Sequence, residues 1–122
     1  MTSSIKYTNA EKMELNDRQD IKKFIQNNNS IHILLKFSAS WCGPCKILND
    51  IINKLIDNYS SIKEKPTEDI LIIDINVDKQ EDISRYFKIR QLPTILTFFN
   101  TERNHCVQGC NETDIYKLIK KL

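Results

Sequence analysis

The sequence is poor in residues that loosen or break a chain. Two glycines and three prolines in 122 residues exclude a collagen-like repeat and a Pro/Gly-rich disordered chain. No run approaches the roughly 20 apolar residues of a membrane span. The first thirty positions carry Lys6, Glu11, Lys12, Glu14, Asp17, Arg18, Asp20, Lys22 and Lys23 and lack the apolar stretch of a signal peptide. Neither sign of charge dominates, 18 Lys+Arg against 16 Asp+Glu, so nothing in the total argues for electrostatic capture of nucleic acid or of a membrane surface. The expectation is a soluble, cytoplasmic protein with neither as partner. In a reducing compartment, four cysteines read as catalytic or metal-binding rather than as a disulfide framework.

What is present is one core's worth of apolar residues, 40% of the chain, in a length that suits one domain rather than two. We read residues 1–11 as a polar lead-in and 12–122 as a single domain, with a short edge strand at Met13 and Leu15. Asn16 or Asp17 can cap a helix whose apolar side is Ile21, Phe24 and Ile25. Residues 31–39 form a near-continuous apolar run, as a strand covered on both faces requires. Ile47, Leu48, Ile51, Ile52, Leu55 and Ile56 then recur in pairs every four residues, which predicts a helix reaching about Tyr59. A Pro66-containing loop over 60–69 leads to a second buried strand at 70–77. Ile83, Tyr86 and Phe87 suit a short helix, 94–99 a third strand, 100–104 a hairpin turn and 105–109 an edge strand. Ile115, Leu118, Ile119 and Leu122 place a last amphipathic helix. Strands alternating with helices make an α/β fold, a mixed sheet of four to five strands flanked by helices on both faces.

The chemistry concentrates in Trp41-Cys42-Gly43-Pro44-Cys45-Lys46, between the central strand and the striped helix. Cys42 falls at the helix N-terminus, where unpaired N–H groups and the positive end of the dipole favour thiolate over thiol. Cys45, one turn inside, is expected to be more buried and to keep a higher pKa. Cys42 is thus the candidate nucleophile and Cys45 the resolving thiol. Pro44 suits the first turn, where a missing N–H costs nothing. A C-x-x-C can equally be half of a structural zinc site, but the strand-loop-helix context, the tryptophan and the Gly-Pro spacer favour redox chemistry. A zinc or iron–sulfur site from Cys42, Cys45, Cys106, Cys110 and His105 would need distant segments to converge, and no metal is expected.

These residues carry a resemblance. Over residues 13–122 the chain is similar to the thioredoxin family: KFSASWCGPCK looks like its active-site segment, Leu92-Pro93-Thr94 matches the place of its cis proline, and Asn76-Val77-Asp78 and Gly109 match two further positions. The resemblance implies a thioredoxin fold, with dithiol–disulfide exchange on disulfide-containing protein substrates lying across Trp41, Gly43, Pro44, Leu92, Pro93 and Gly109. It implies a Cys42–Cys45 redox disulfide, no bound cofactor, and electrons from a separate thioredoxin-reductase-like, NADPH-dependent donor. The rival readings are a binding or adaptor protein with little turnover, and a redox sensor using Cys110. Read from strand geometry alone, Pro93 would be an ordinary trans proline at a strand start.

The chain also departs from the family. Where relatives commonly carry a buried acid, it has Lys36; where many have a lysine partnering that acid, it has Asp74. A charge-swapped pair would make Asp74 the candidate acceptor of the Cys45 proton and Lys36 its charge partner; alternatively Lys36 snorkels to solvent and Asp74 only satisfies an ammonium. Asp50 stands where relatives have a kinking proline, which predicts a straighter helix. Cys106 and Cys110, four residues apart in extended chain, are too far separated to pair, and Cys110, beside Gly109, is a candidate regulatory thiol. His32 reads as a surface or satisfied histidine.

Overall fold

The computed structural model describes residues 4–62 and 68–122. Its elements are β1 (Ile5–Asn9), α1 (Arg18–Asn27), β2 (His32–Ser38), α2 (Gly43–Asp57), α3 (Tyr59–Ile62), β3 (Ile70–Asn76), α4 (Glu81–Tyr86), β4 (Thr94–Phe99), β5 (Glu102–Gln108) and α5 (Glu112–Lys121). The five strands lie in the order β1-β3-β2-β4-β5. β1 and β2 both run parallel to β3, and β4 runs antiparallel to β2 and β5.

The apolar run at 31–39 becomes β2, the middle strand, buried at all seven positions. Its side chains alternate between two cores. Ile33, Leu35 and Phe37 pack with Ile21 and Ile25 of α1 and Ile83 of α4, while Leu34 packs with Leu48, Ile52 and Leu55 of α2 and Ile115 and Leu118 of α5. Each such aliphatic side chain withdrawn from water contributes about 1.5–3 kcal/mol before entropy is counted. Lys36 and Ser38 are therefore directed at the α2 side of the sheet, and this decides the chemistry below.

The edge strand is not where the sequence suggested. Met13 and Leu15 lie in a turn closed by Met13 N–H to Asn9 O and Leu15 N–H to Ala10 O, with Glu14 at φ 56°. Instead Ile5–Asn9, read as loose lead-in, pairs with β3 from Ile5↔Ile70 to Asn9↔Asp74. Ile5 and Tyr7 alternate with polar residues and lean on the α2-side core; so short a period-two pattern carries little signal by itself. The hairpin is also tighter than the five-residue turn expected. It turns on Asn100 and Thr101, at φ 53° and 68°, so that Glu102, Arg103 and Asn104 belong to β5. Their polarity concealed a strand, and it suits an exposed sheet edge that must not recruit another chain. The helix after the dithiol stops at Asp57 and a separate turn, α3, takes residues 59–62; residues 63–67 of the expected loop lie outside the described residues.

Asp17, not Asn16, caps α1, accepting from Asp20 N–H in a reciprocal capping box. α2 runs unbroken through Asp50. His32 is buried, stacked on Phe99 at 4.4 Å with Glu68 3.5 Å away, so it is a satisfied histidine rather than a surface one.

Candidate active site

β2 ends at Ser38, and three residues later the chain turns into α2 with Cys42 as its N-cap. Cys42 N–H donates to Ala39 O at 3.2 Å, and Cys45 N–H donates to Cys42 Sγ at 3.2 Å. Pro44 occupies the first turn. The two cysteines are joined as a disulfide with Cα atoms 5.3 Å apart. Both sulfur residues are nearly covered, Cys42 at 5% and Cys45 at 2% exposure, so the expected contrast in burial is small. Their difference is positional: the Cys42 sulfur already accepts a backbone N–H at the positive end of a 15-residue helix, which stabilises a thiolate there when the bond is reduced.

Around the pair lies an exposed apolar rim. Trp41 is 70% exposed and Ile47 53%, the two large exposed hydrophobic residues among those described. The indole is held in place by its Nε1–H donating to Asp78 Oδ2 at 2.9 Å, and Asp78 N–H in turn donates to Asn76 Oδ1 at 2.9 Å. The Asn76-Val77-Asp78 segment thus fixes the tryptophan, a role the sequence did not reveal. Leu92 and Val77 pack against Ala39, Cys42 and Cys45. The Leu92–Pro93 bond is cis, as the resemblance implies and strand geometry alone does not. Gly109 N–H donates to Pro93 O at 2.9 Å with φ at 92°, a conformation that suits glycine. Trp41, Gly43, Pro44 and Leu92 line one open cleft of about 480 Å³, joined there by Val77, Ser84, Ile89 and Arg90, which the sequence reading had not included. Pro93 and Gly109 adjoin it through Leu92 rather than lining it.

Lys36 and Asp74 meet. They are register partners on β2 and β3, and Lys36 Nζ lies 3.2 Å from Asp74 Oδ1. Lys36 is 0% exposed, so it does not snorkel. Its other two donors reach Tyr7 Oη at 3.0 Å and Asn49 Oδ1, and Tyr7 Oη donates to Asn49 Oδ1 at 3.2 Å. Ser38 Oγ donates to Asp74 Oδ1 at 2.6 Å. Burial holds the Lys36 pKa below its ordinary value, with Asp74 opposing. Burial first and then Asp74 push the Tyr7 phenol above its own. Asp74 is not sealed in: its side chain is 31% exposed and lines a cavity of about 160 Å³ with Asn9, Glu11, Asn76, Lys79 and Gln80. Tyr7 and Asn49 were missed because one stands on the unrecognised edge strand and the other is a polar residue on a helix. Asn49 lies one turn beyond Cys45, so it ties the dithiol helix to the buried ammonium.

Cys106 and Cys110 are free thiols, exposed and half-buried respectively. Cys110 leans on the core between α2 and α5. Among the described residues no group of three or more His, Cys, Asp or Glu is placed to hold a metal ion, and no helix is long and apolar enough to cross a membrane.

Comparison with known proteins gives one answer. The thioredoxin family profile matches residues 12–121. A thioredoxin of Ophiophagus hannah is 29% identical over 105 residues, 86% of this chain and 92% of that one. Thioredoxin-1 of Drosophila yakuba is 30% identical over 84% of this chain and 90% of its own. Among solved structures, the thioredoxin of Fasciola hepatica superposes with a TM-score of 0.72 at 22% identity, over 88% of this chain and 95% of that one. The germline-specific thioredoxin Deadhead of Drosophila melanogaster gives 0.69 at 27%, over 100% and 99%.

Proposed function

This chain belongs to the thioredoxin family, a thiol–disulfide oxidoreductase, and we propose that Cys42 and Cys45 reduce disulfides of protein substrates docked on the rim around Trp41. In the reduced enzyme the Cys42 thiolate attacks one substrate sulfur, forming a mixed disulfide and releasing the other sulfur as a thiolate that takes a proton from water. Cys45 then loses its proton and attacks Cys42 Sγ, which releases the second substrate sulfur and closes the Cys42–Cys45 disulfide. Two electrons have passed to the substrate. A separate NADPH-dependent reductase would return them, no group being bound in between, and the setting we assign is cytoplasmic electron transport in redox homeostasis. The proline spacer suits a reductant rather than an oxidase.

Asp74 takes the Cys45 proton on this reading, because it is the acid that Ser38 joins to the end of β2 and it opens on a solvent cavity. Lys36 is its charge partner, 3.2 Å away. The observation that carries the assignment is the sulfur of Cys42 capping α2 on the Cys45 N–H. Rates of insulin reduction by the wild type, Cys42→Ser and Cys45→Ser test it. Turnover lost in both variants is the expected result; negligible turnover of the wild type would leave a binding or adaptor protein.

A further inference from the structure

The cleft beside Cys42 is apolar over most of its lining, from Trp41, Pro44, Val77, Ile89 and Leu92, and one charged side chain enters it, Arg90. Arg90 is exposed. The three acids that precede it most closely along the chain are engaged elsewhere. Glu81 is bound by Arg85 at 2.8 Å, Asp82 by Arg18 at 2.7 Å, and Asp78 accepts the Trp41 indole at 2.9 Å. Among the described residues no ion pair takes Arg90, and none takes Lys88 two positions earlier. Lys46, which follows the dithiol in α2, is likewise in no ion pair among the described residues, but it does not line the cleft.

An unpartnered guanidinium thus borders the apolar cleft through which a substrate must present its disulfide to Cys42. Guanidinium is weakly hydrated and presents a planar fork of donors that matches a carboxylate with two parallel hydrogen bonds. We propose that Arg90 is a specificity-determining residue: the preferred substrates are protein disulfides with an aspartate or glutamate beside the attacked cysteine and an apolar residue next to it to fill the cleft between Trp41 and Ile89. This rests on the reductase reading above. The charge acts on encounter and register more than on the chemical step, so it raises kcat/KM through KM and fades with salt.

Two disulfide peptides, identical except for Glu or Gln beside the cysteine, test the proposal by their kcat/KM at about 50 mM and 500 mM salt, with a Cys42→Ser control. The Glu peptide is expected to be reduced about three- to fivefold faster at low salt, as an exposed but well-formed ion pair allows, and the advantage to shrink at high salt. Arg90→Gln brings the two rates together, and Arg90→Glu reverses their order. Equal rates in the wild type, or a preference that survives Arg90→Glu, overturns the charge selection and leaves the reductase standing. If neither peptide is reduced faster than by Cys42→Ser, the reductase reading falls, and this one with it.

Discussion

Asp74→Asn tests the buried pair most directly. The variant keeps an oxygen for Ser38 and Lys36 but removes the charge that faces the Lys36 ammonium at 3.2 Å. Breaking a fully buried ion pair from one side costs about 3–5 kcal/mol. Here the carboxylate is 31% exposed, so part of its attraction is already screened, and Lys36 keeps Tyr7 and Asn49 as acceptors. About 2 kcal/mol is the reasoned loss at pH 7, or about 8 °C in Tm for a domain of this size. The pH dependence follows from the direction of the Lys36 shift. Its folded pKa lies below the ordinary 10.5 because of burial, and Asp74 was holding it up; without Asp74 it falls further. Below that folded pKa the full cost of enclosing a cation is present. As pH rises through it toward 10.5, the folded state sheds the proton before the unfolded chain does, and the cost is relieved. The deficit of Asp74→Asn against the wild type therefore shrinks between pH 7 and 9.5. Urea unfolding of the oxidised proteins at pH 7, 8, 9 and 9.5 measures it, and a double-mutant cycle with Lys36→Met should give a coupling of about 1 kcal/mol or more. A loss under about 0.5 kcal/mol at pH 7, unchanged across that range, would refute the electrostatic account of the pair.

Further expectations concern the rim and the hairpin. Asp78→Ala frees the indole of Trp41 and should lower kcat/KM on insulin about two- to fivefold, with a much smaller effect on a small aromatic disulfide that needs no docking surface; equal losses on both would show that the tryptophan does not act through protein docking. Thr101→Gly removes a β-branched side chain from φ 68°, a conformation such residues rarely adopt, in a two-residue turn that favours Asn-Gly. The strain relieved exceeds the entropy a glycine adds to the unfolded chain, so the variant should be more stable by about 0.5 kcal/mol, read as a higher urea midpoint at unchanged slope.

Legibility followed the length and regularity of the pattern. The seven-residue β2 and the striped α2 could be read because apolar side chains recur at strand or helix spacing over enough positions to outweigh chance. β1 could not, since two apolar positions in five residues acquire meaning only when β3 lies beside them with its hydrogen bonds open. β5 was hidden for the opposite reason: an edge strand is free to be charged, and Glu102 and Arg103 look like turn residues until Phe99 and Phe98 are seen opposite them. In the site, Cys42, Cys45, Trp41 and Pro93 announced themselves through one contiguous motif and one tripeptide. Arg90, Tyr7 and Asn49 did not, and Asp78 did only as a matched position without its bond to Trp41, because what they do depends on a neighbour far away in the chain.

By itself the sequence determined the alternation of strands and helices, the position of both thiols at the first turn of a helix, and the identity of the two charges that stand in place of the expected acid and its lysine. These are local facts, set by periodicity, capping and residue type. The tertiary structure decided that Lys36 is enclosed rather than exposed, that Asp74 faces both it and solvent, and that Arg90 borders the cleft without a partner. Burial and electrostatic interaction depend on distances in space, and spacing along a chain does not fix those until the sheet has formed.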